Sequence, residues 1–166
     1  MKHNYNVFLV LYHKKLAMIF SHVNRIPAFL LEKLDILFKL LKERKLEFEA
    51  FASRVRNKEL RRTILTLAQE TNQYANELLG QIETMGGEVK PPYEIFYISD
   101  NNMMMEDEKD ILCSCQVSEK KLIVAYRTLL NEPFLHDNLR RLIRYQLNGL
   151  TYAFMQLKLL NTSIHR

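Results

Sequence analysis

Apolar residues recur at alternating steps of three and four positions in four stretches of this chain, and this spacing constrains the fold more than any other feature. The stretches cover residues 30–55, 60–85, 111–129 and 139–164. Residues spaced in this way lie along one face of an α-helix, and helices with one apolar face pack side by side into bundles. The pattern therefore predicts an all-α fold with four long helices.

Residues that interrupt helices are rare, and most of them lie outside the four stretches. The 166 residues include only 4 glycines and 4 prolines, and these two residue types are the strongest helix breakers. Pro27 suits the first turn of a helix, Gly86 and Gly87 would end the second helix, and Pro133 marks the turn before the fourth. A chain of this length can bury a core as one domain.

The connections between the predicted helices differ in length. Only a few residues separate helices 1 and 2, or helices 3 and 4, so each pair is expected to form an antiparallel hairpin. Helices 2 and 3 are separated by the segment from Gly86 to Met105, which at ~3.3 Å per residue could run the whole length of a bundle. This favours a ferritin-like four-helix bundle with one long crossover between helices 2 and 3. Simple up-and-down order, with the long loop gathered at one end, remains the alternative.

Residues 1–26 are predicted to form an N-terminal helical appendage to a bundle of residues 27–166. The appendage has two apolar runs, 7–12 and 16–20, but basic residues split them, and neither reaches the ~18 residues of a spanning helix. Its charges lie inside the apolar region and no small-residue cleavage site follows, so a signal peptide is not predicted. Met18 is an alternative translation start, which leaves open whether the residues before it belong to the native protein.

The two cysteines indicate the cellular compartment, and the distribution of charge indicates which partners the chain could bind. Cys113 and Cys115 are too close on one helix for an unstrained disulfide, and two reduced thiols favour a cytoplasmic protein. Residues 1–62 carry 14 lysines and arginines against 6 acidic residues, a balance that can suit nucleic acid or an anionic membrane. These charges alternate with the apolar stripe, as on a solvated helix face. A nucleic-acid or membrane-surface binder is therefore only a weaker alternative, and neither a nucleic-acid partner nor a membrane span is predicted.

Several short motifs resemble one known family when their order and spacing are taken together. They are Val55-x4-Leu60, Leu67-Ala68-Gln69, Glu77-Leu78, Met85-Gly86-Gly87-Glu88 and Glu119-x5-Ala125-Tyr126-Arg127. Over roughly residues 30–160 the chain resembles the bacterial ferritin-like bundles called domain of unknown function 2383. The resemblance implies a bacterial protein with a ferritin-like fold. It implies no activity, because the activity of that family is itself not established.

A ferritin-like di-iron site requires one Glu from each of two helices and Glu-x-x-His from each of the other two. In this sequence all five histidines lie in the predicted appendage or near helix ends, and no carboxylate follows Leu139. A complete di-iron site therefore cannot be assembled from one chain, and no cofactor is predicted. If a metal is bound, the fallback ligands are Glu47, Glu70 and Glu119.

Polar residues interrupt the apolar stripe near the middle of every predicted helix. They are Arg44, Thr71, Ser118 with Glu119 beside it, and Gln146. A charged group among core residues has to be paired or reach solvent. We therefore expect a central polar layer at the position where relatives of this fold hold metal, with Arg44 facing Glu119. The alternative is that Arg44 swings outward to solvent.

These observations lead to two main functional hypotheses. The first is a non-enzymatic bundle that acts through protein contacts, as a homodimer or with another protein, because its apolar residues exceed what one core face needs. The second is a metal-dependent oxidoreductase or metal-storage protein of the di-iron type. No catalytic residue is nominated. The surplus apolar residues are Leu31, Phe38 and Leu40 on helix 1 and Phe154, Met155 and Leu159 on helix 4.

Overall fold

The structure is a computed structural model that describes residues 26–89 and 108–164, with side chains described up to residue 162. These ranges contain four α-helices: α1 (Ala28–Arg54), α2 (Lys58–Thr84), α3 (Glu108–Leu130) and α4 (Asp137–Ile164). No β-strand occurs within them. The predicted all-α class with four long helices is therefore confirmed. None of these helices is both long enough and apolar enough to cross a lipid bilayer.

Local sequence explains where α2 begins and ends. The side chain of Asn57 accepts hydrogen bonds of 3.0 Å from the backbone N–H groups of Glu59 and Leu60, which caps the first turn. At the other end, Gly86 has a φ of 71°, which is the left-handed conformation that glycine adopts without strain. The N–H of Gly87 then bonds the carbonyl of Ile82 at 2.9 Å, which closes a Schellman motif.

The helices form a four-membered ring in cross-section. α1 packs against α2 and α3, and α4 packs against the same two helices. Lys33, near the start of α1, forms an ion pair with Glu132, just beyond the end of α3. At the other end, the backbone N–H groups of Arg56 and Asn57 donate to Oε1 of Glu108, the first residue of α3, at 2.7 and 2.9 Å. α1 and α3 therefore run antiparallel.

The two ends of the long connection lie at opposite ends of α1. A Cβ added to Gly87, beyond the end of α2, would lie 3.0 Å from Leu31 near the start of α1, whereas the start of α3 lies beside Arg56. The path between them, residues 90–107, falls outside the described residues, so the crossover and the ferritin-like topology stay predictions. The predicted appendage also falls outside them, apart from Ile26.

The core is built from the residues that the spacing selected. Side chains from all four helices are essentially inaccessible to solvent, among them Leu34, Leu41, Phe48, Ile64, Leu78, Ile111, Leu122, Leu139, Ile143 and Leu150. Two positions depart from a step of three residues: after Leu122 the core encloses Tyr126 and not Ala125, and after Leu150 it encloses Phe154 and not Ala153. Ala125 lies at the edge of the core.

Most of the surplus apolar residues pack inside the bundle and do not form a second face. Phe38 and Phe154 are buried, while Leu31 and Leu40 are half-buried against the core. Only Met155 and Leu159 remain exposed, at 47% and 57%. The reason is that each helix contacts two neighbours, so its buried arc is wider than a single seam of residues.

Gly149 provides a test of how closely α2 and α4 approach. A Cβ at this position would overlap the hydroxyl oxygen of Tyr74 and lie 3.1 Å from its Cζ. We expect Gly149→Ala to lower the free energy of unfolding by about 1–3 kcal/mol through overpacking, despite the better helix propensity of alanine. Combining it with Tyr74→Phe should recover most of the loss. Urea denaturation measures both effects, and a neutral or stabilising single substitution would contradict this packing.

Candidate functional site

The polar residues predicted near the centre of the bundle are withdrawn from solvent. Thr71 and Gln146 are fully buried, Ser118 is 1% exposed and Glu119 is 7% exposed. The side chain of Arg44 is 13% exposed. Burying such groups is costly unless their hydrogen bonds are satisfied inside the protein. The hydrogen-bond and ion-pair partners of these side chains therefore determine which chemistry the site can support.

Arg44 belongs to a hydrogen-bonded group between α1 and α3, here called the Arg44 group. Its Nη1 atom donates to Oε2 of Glu47 at 2.5 Å and to Oγ of Ser118 at 3.2 Å. The Ser118 hydroxyl in turn lies 2.6 Å from the same oxygen of Glu47 and donates to it. Glu43 adds a second carboxylate at 3.5 Å. The guanidinium is therefore neutralised by its own helix and tied to α3 by a hydroxyl.

The expected pair between Arg44 and Glu119 does not form. Oε1 of Glu119 instead accepts from Nζ of Lys158 on α4 at 2.8 Å. The physical reason is the 100° rotation between successive residues of a helix. Ser118 and Glu119 are adjacent in sequence, so when Ser118 faces α1 its neighbour faces α4.

Gln146 belongs to a second group, the Gln146 group, which joins three helices. Its Oε1 atom accepts from the hydroxyl of Tyr126 on α3 at 3.0 Å. Its Nε2 atom donates to the backbone carbonyl of Tyr74 and to Oε2 of Glu77, both on α2 and both at 3.1 Å. Every polar atom of the buried amide therefore has a partner, which fixes the relative positions of α2, α3 and α4.

Burial raises the pKa of the two tyrosines in this region. Desolvation, with smaller effects from the charges of Tyr74 and Glu77, raises the pKa of Tyr126 far above its ordinary value. Desolvation, together with the nearby charge of Glu70, raises the pKa of Tyr74 to about 12. A phenol with the ordinary pKa of about 10 is already protonated at neutral pH, and burial keeps both phenols protonated to higher pH, so Tyr126 remains a hydrogen-bond donor to Gln146.

The five predicted residues do not meet in one connected layer. Tyr126, which marks the level of the Gln146 group on α3, lies eight residues beyond Ser118, or ~12 Å along the helix axis. The hydroxyl of Thr71 donates to the carbonyl of Leu67 on its own helix at 2.7 Å. The predicted residues are thus divided among the Arg44 group, the Gln146 group and the ion pair of Glu119 with Lys158. Among the described residues, the hydroxyl of Thr71 bonds only within its own helix.

The fallback metal ligands are also kept apart. Glu47 is held by Arg44 and Glu119 by Lys158, so each of these carboxylates is already neutralised by a cation. Across residues 26–89 and 108–164 no three His, Cys, Asp or Glu residues form a group that could hold a metal ion. The described side chains therefore do not bring Glu47, Glu70 and Glu119 into one coordination sphere.

Glu70 lies in an open cleft between α2 and α4, called the α2–α4 cleft below. The cleft has a volume of about 330 Å³. Burial raises the pKa of the Glu70 carboxyl above its ordinary value, and its Oε2 atom is enclosed without a hydrogen-bond partner. The lining residues are Glu59, Arg62, Thr63, Thr66, Leu67, Glu70, Tyr152, Ala153 and Gln156.

The outer side of α4 carries four exposed apolar residues in one line, called the α4 outer row. Tyr145, Tyr152, Met155 and Leu159 are 59%, 62%, 47% and 57% exposed. Their spacing of seven, three and four positions places them on one side of the helix. The core-facing residues of α4, such as Ile143 and Leu150, occupy the opposite side. The row is therefore an apolar strip on the surface, interrupted between Tyr145 and Tyr152 by the exposed side chain of Asn148.

No protein-family model matches the chain, and no curated protein matches it. The class that the fold defines is therefore an all-α four-helix protein. The resemblance to the domain of unknown function 2383 bundles stays a proposal.

A double-mutant cycle can test the partner of Arg44. We expect Arg44→Leu to lower the free energy of unfolding by about 1–3 kcal/mol, less than for a fully buried pair because Glu47 is partly solvated. Adding Glu47→Leu should recover much of this loss, giving a coupling energy of about 1 kcal/mol or more.

Glu119→Gln provides the matched control for this cycle. Because Glu119 pairs with Lys158, its effect should add to that of Arg44→Leu within about 0.5 kcal/mol. Strong coupling between Arg44 and Glu119, with none between Arg44 and Glu47, would contradict the observed pairing.

Proposed function

We propose that this protein is a non-enzymatic, ferritin-like helical bundle that acts through protein contacts, first of all by forming a homodimer. The observation that carries the proposal is the α4 outer row. An aromatic and aliphatic strip of this kind on a surface helix is typical of protein interaction sites, where tyrosine in particular contributes binding energy.

The spacing of the row suits a second copy of the same chain. Tyr145 and Leu159 lie seven residues before and after Tyr152. When two α4 helices pack antiparallel about a two-fold axis at Tyr152, Tyr145 of one copy meets Leu159 of the other, and the reverse contact forms by symmetry. The row is therefore complementary to itself.

Charge along α4 is compatible with this pairing. No charged residue lies between Arg144 and Lys158, so the seam between the two copies would contain only apolar and neutral polar side chains. Lys158 is already paired with Glu119 of its own chain. Antiparallel packing also sets opposite ends of the two helix dipoles side by side, which is favourable.

The ferritin-like topology rests on the ends of the long connection. These ends lie at opposite ends of α1, whose 27 residues span ~40 Å at 1.5 Å per residue. The intervening residues 90–107 can cover that distance when extended, at ~3.3 Å each. This supports a crossover of the kind found in ferritin-like bundles and, with it, the resemblance to the bacterial family.

Two further features agree with the proposal. Cys113 and Cys115 are both free thiols, the second of them buried, which supports a reducing, cytoplasmic location. The metal-binding alternative receives less support, because Glu47 and Glu119 are each engaged by a cation of their own chain.

The homodimer can be tested by placing a charge in the α4 outer row. Met155→Glu should convert a dimer into a monomer, because two copies would bury like charges near their symmetry axis. Light scattering coupled to size-exclusion chromatography, at micromolar concentration, measures the mass directly.

Ile36→Glu is the matched control. Ile36 is 57% exposed on α1 and lies outside the row, so this variant should keep the mass of the unmodified protein. A monomeric unmodified protein, or loss of the dimer in Ile36→Glu alone, would contradict the proposed interface.

A further inference from the structure

Glu70 differs from the other part-buried carboxylates of the described residues, because those have partners. Glu77 accepts hydrogen bonds from the side-chain amides of Gln73 and Gln146, and Glu108 accepts from two backbone N–H groups. The remaining ones form ion pairs: Asp35 with Lys39, Glu43 and Glu47 with Arg44, Glu119 with Lys158, and Glu132 with Lys33.

Glu70 has no such compensation. Its Oε2 atom is enclosed with no hydrogen-bond partner, and burial raises the pKa of its carboxyl above the ordinary value. An ionised carboxylate in this position is left without a counter-charge, which is unfavourable for the free protein. A positively charged group that enters the α2–α4 cleft would supply what the chain itself does not.

The cleft has the size and the lining of a small-molecule site. Its volume of about 330 Å³ lies within the roughly 300–1,000 Å³ that ligand pockets occupy. Leu67 and Ala153 contribute apolar surface, and Thr63, Thr66 and Gln156 contribute hydrogen-bonding groups. The ring of Tyr152, 62% exposed, stands at the same cleft, where it can contact an apolar body or the face of a cation.

We propose that the α2–α4 cleft is a binding site for a small organic amine, with the ammonium group paired to Glu70 and the apolar part against Tyr152 and Ala153. Glu59 and Arg62, which also line the cleft, carry opposite charges that cancel. The net charge of the lining is therefore that of Glu70, which is negative. The cation at Arg62 disfavours a second ammonium group, which makes a monoamine a better fit than a polyamine. The cleft and the α4 outer row share Tyr152, so a bound amine and a second copy of the chain would compete for this side chain, whereas Glu70 lies outside the row.

The test compares a monoamine with its neutral analogue on the full-length protein. ¹⁵N-labelled protein is titrated at pH 7 with 2-phenylethylamine and, separately, with 2-phenylethanol, which has a similar shape and no charge. Saturable chemical-shift changes confined to residues 59–70 and 152–156, for the amine and not for the alcohol, are expected. No saturable change, changes elsewhere in the chain, or equal binding of the alcohol would overturn the proposal.

Glu70→Gln removes the charge and keeps the shape of the side chain. It should weaken amine binding about tenfold or more, because a charge-assisted hydrogen bond is lost. The variant should fold at least as stably as the unmodified protein, since its amide bears no buried charge, so loss of binding cannot be attributed to unfolding. Unchanged amine affinity in Glu70→Gln would overturn the assignment of the ammonium to this residue.

Two controls separate this site from its surroundings and from the dimer. Glu83→Gln, an exposed carboxylate on α2 outside the cleft, should leave amine binding unchanged. Met155→Glu should disrupt the dimer and keep or strengthen amine binding, because Tyr152 is then free of the partner, whereas Glu70→Gln should weaken amine binding and leave the dimer intact. Equal loss of amine binding in Glu83→Gln would show a non-specific charge effect and would overturn the site.

Discussion

A polar side chain in the interior of a helical bundle has to find its partner within the protein, and this requirement determines how the four helices fit together. Apolar packing fixes which side of each helix faces the core, but small rotations and shifts of a helix bury a similar area. The Arg44 group joins α1 to α3 with hydrogen bonds of defined length, and the Gln146 group joins α2, α3 and α4. Each such contact is lost if one helix rotates, so the polar groups select one arrangement among many.

The helices could be predicted from sequence because their signals are local. The spacing of apolar residues and the glycine pair after α2 depend on residues close together in the chain, and the structure shows α2 ending where Gly86 and Gly87 lie. The buried positions of Thr71, Ser118 and Gln146 followed from the same stripes. The side of the helix on which each residue lies is thus readable from sequence.

The partners of the buried polar residues could not be predicted in this way. Lys158 lies 39 residues from Glu119, and Gln146 lies 20 residues from Tyr126, across the loop between α3 and α4. Adjacent positions such as Ser118 and Glu119 face different helices. Which of them faces Arg44 therefore depends on the rotation of α3 about its axis, to within less than the ~100° between successive residues. The α2–α4 cleft was missed for a related reason, because Glu70 and Tyr152 come from helices that meet only in the folded bundle.

Glu47 and Glu119 are each neutralised by a cation of the same chain, Arg44 and Lys158, and the central claim is that these two carboxylates do not bind a metal ion. The most direct measurement is the metal content of protein incubated with excess Mn²⁺ or Fe²⁺ and passed through a desalting column, determined by mass spectrometry of the elements. The account predicts far less than one equivalent per chain, unchanged by Glu47→Gln or Glu119→Ala. One or more equivalents per chain, lost in either variant, would contradict it.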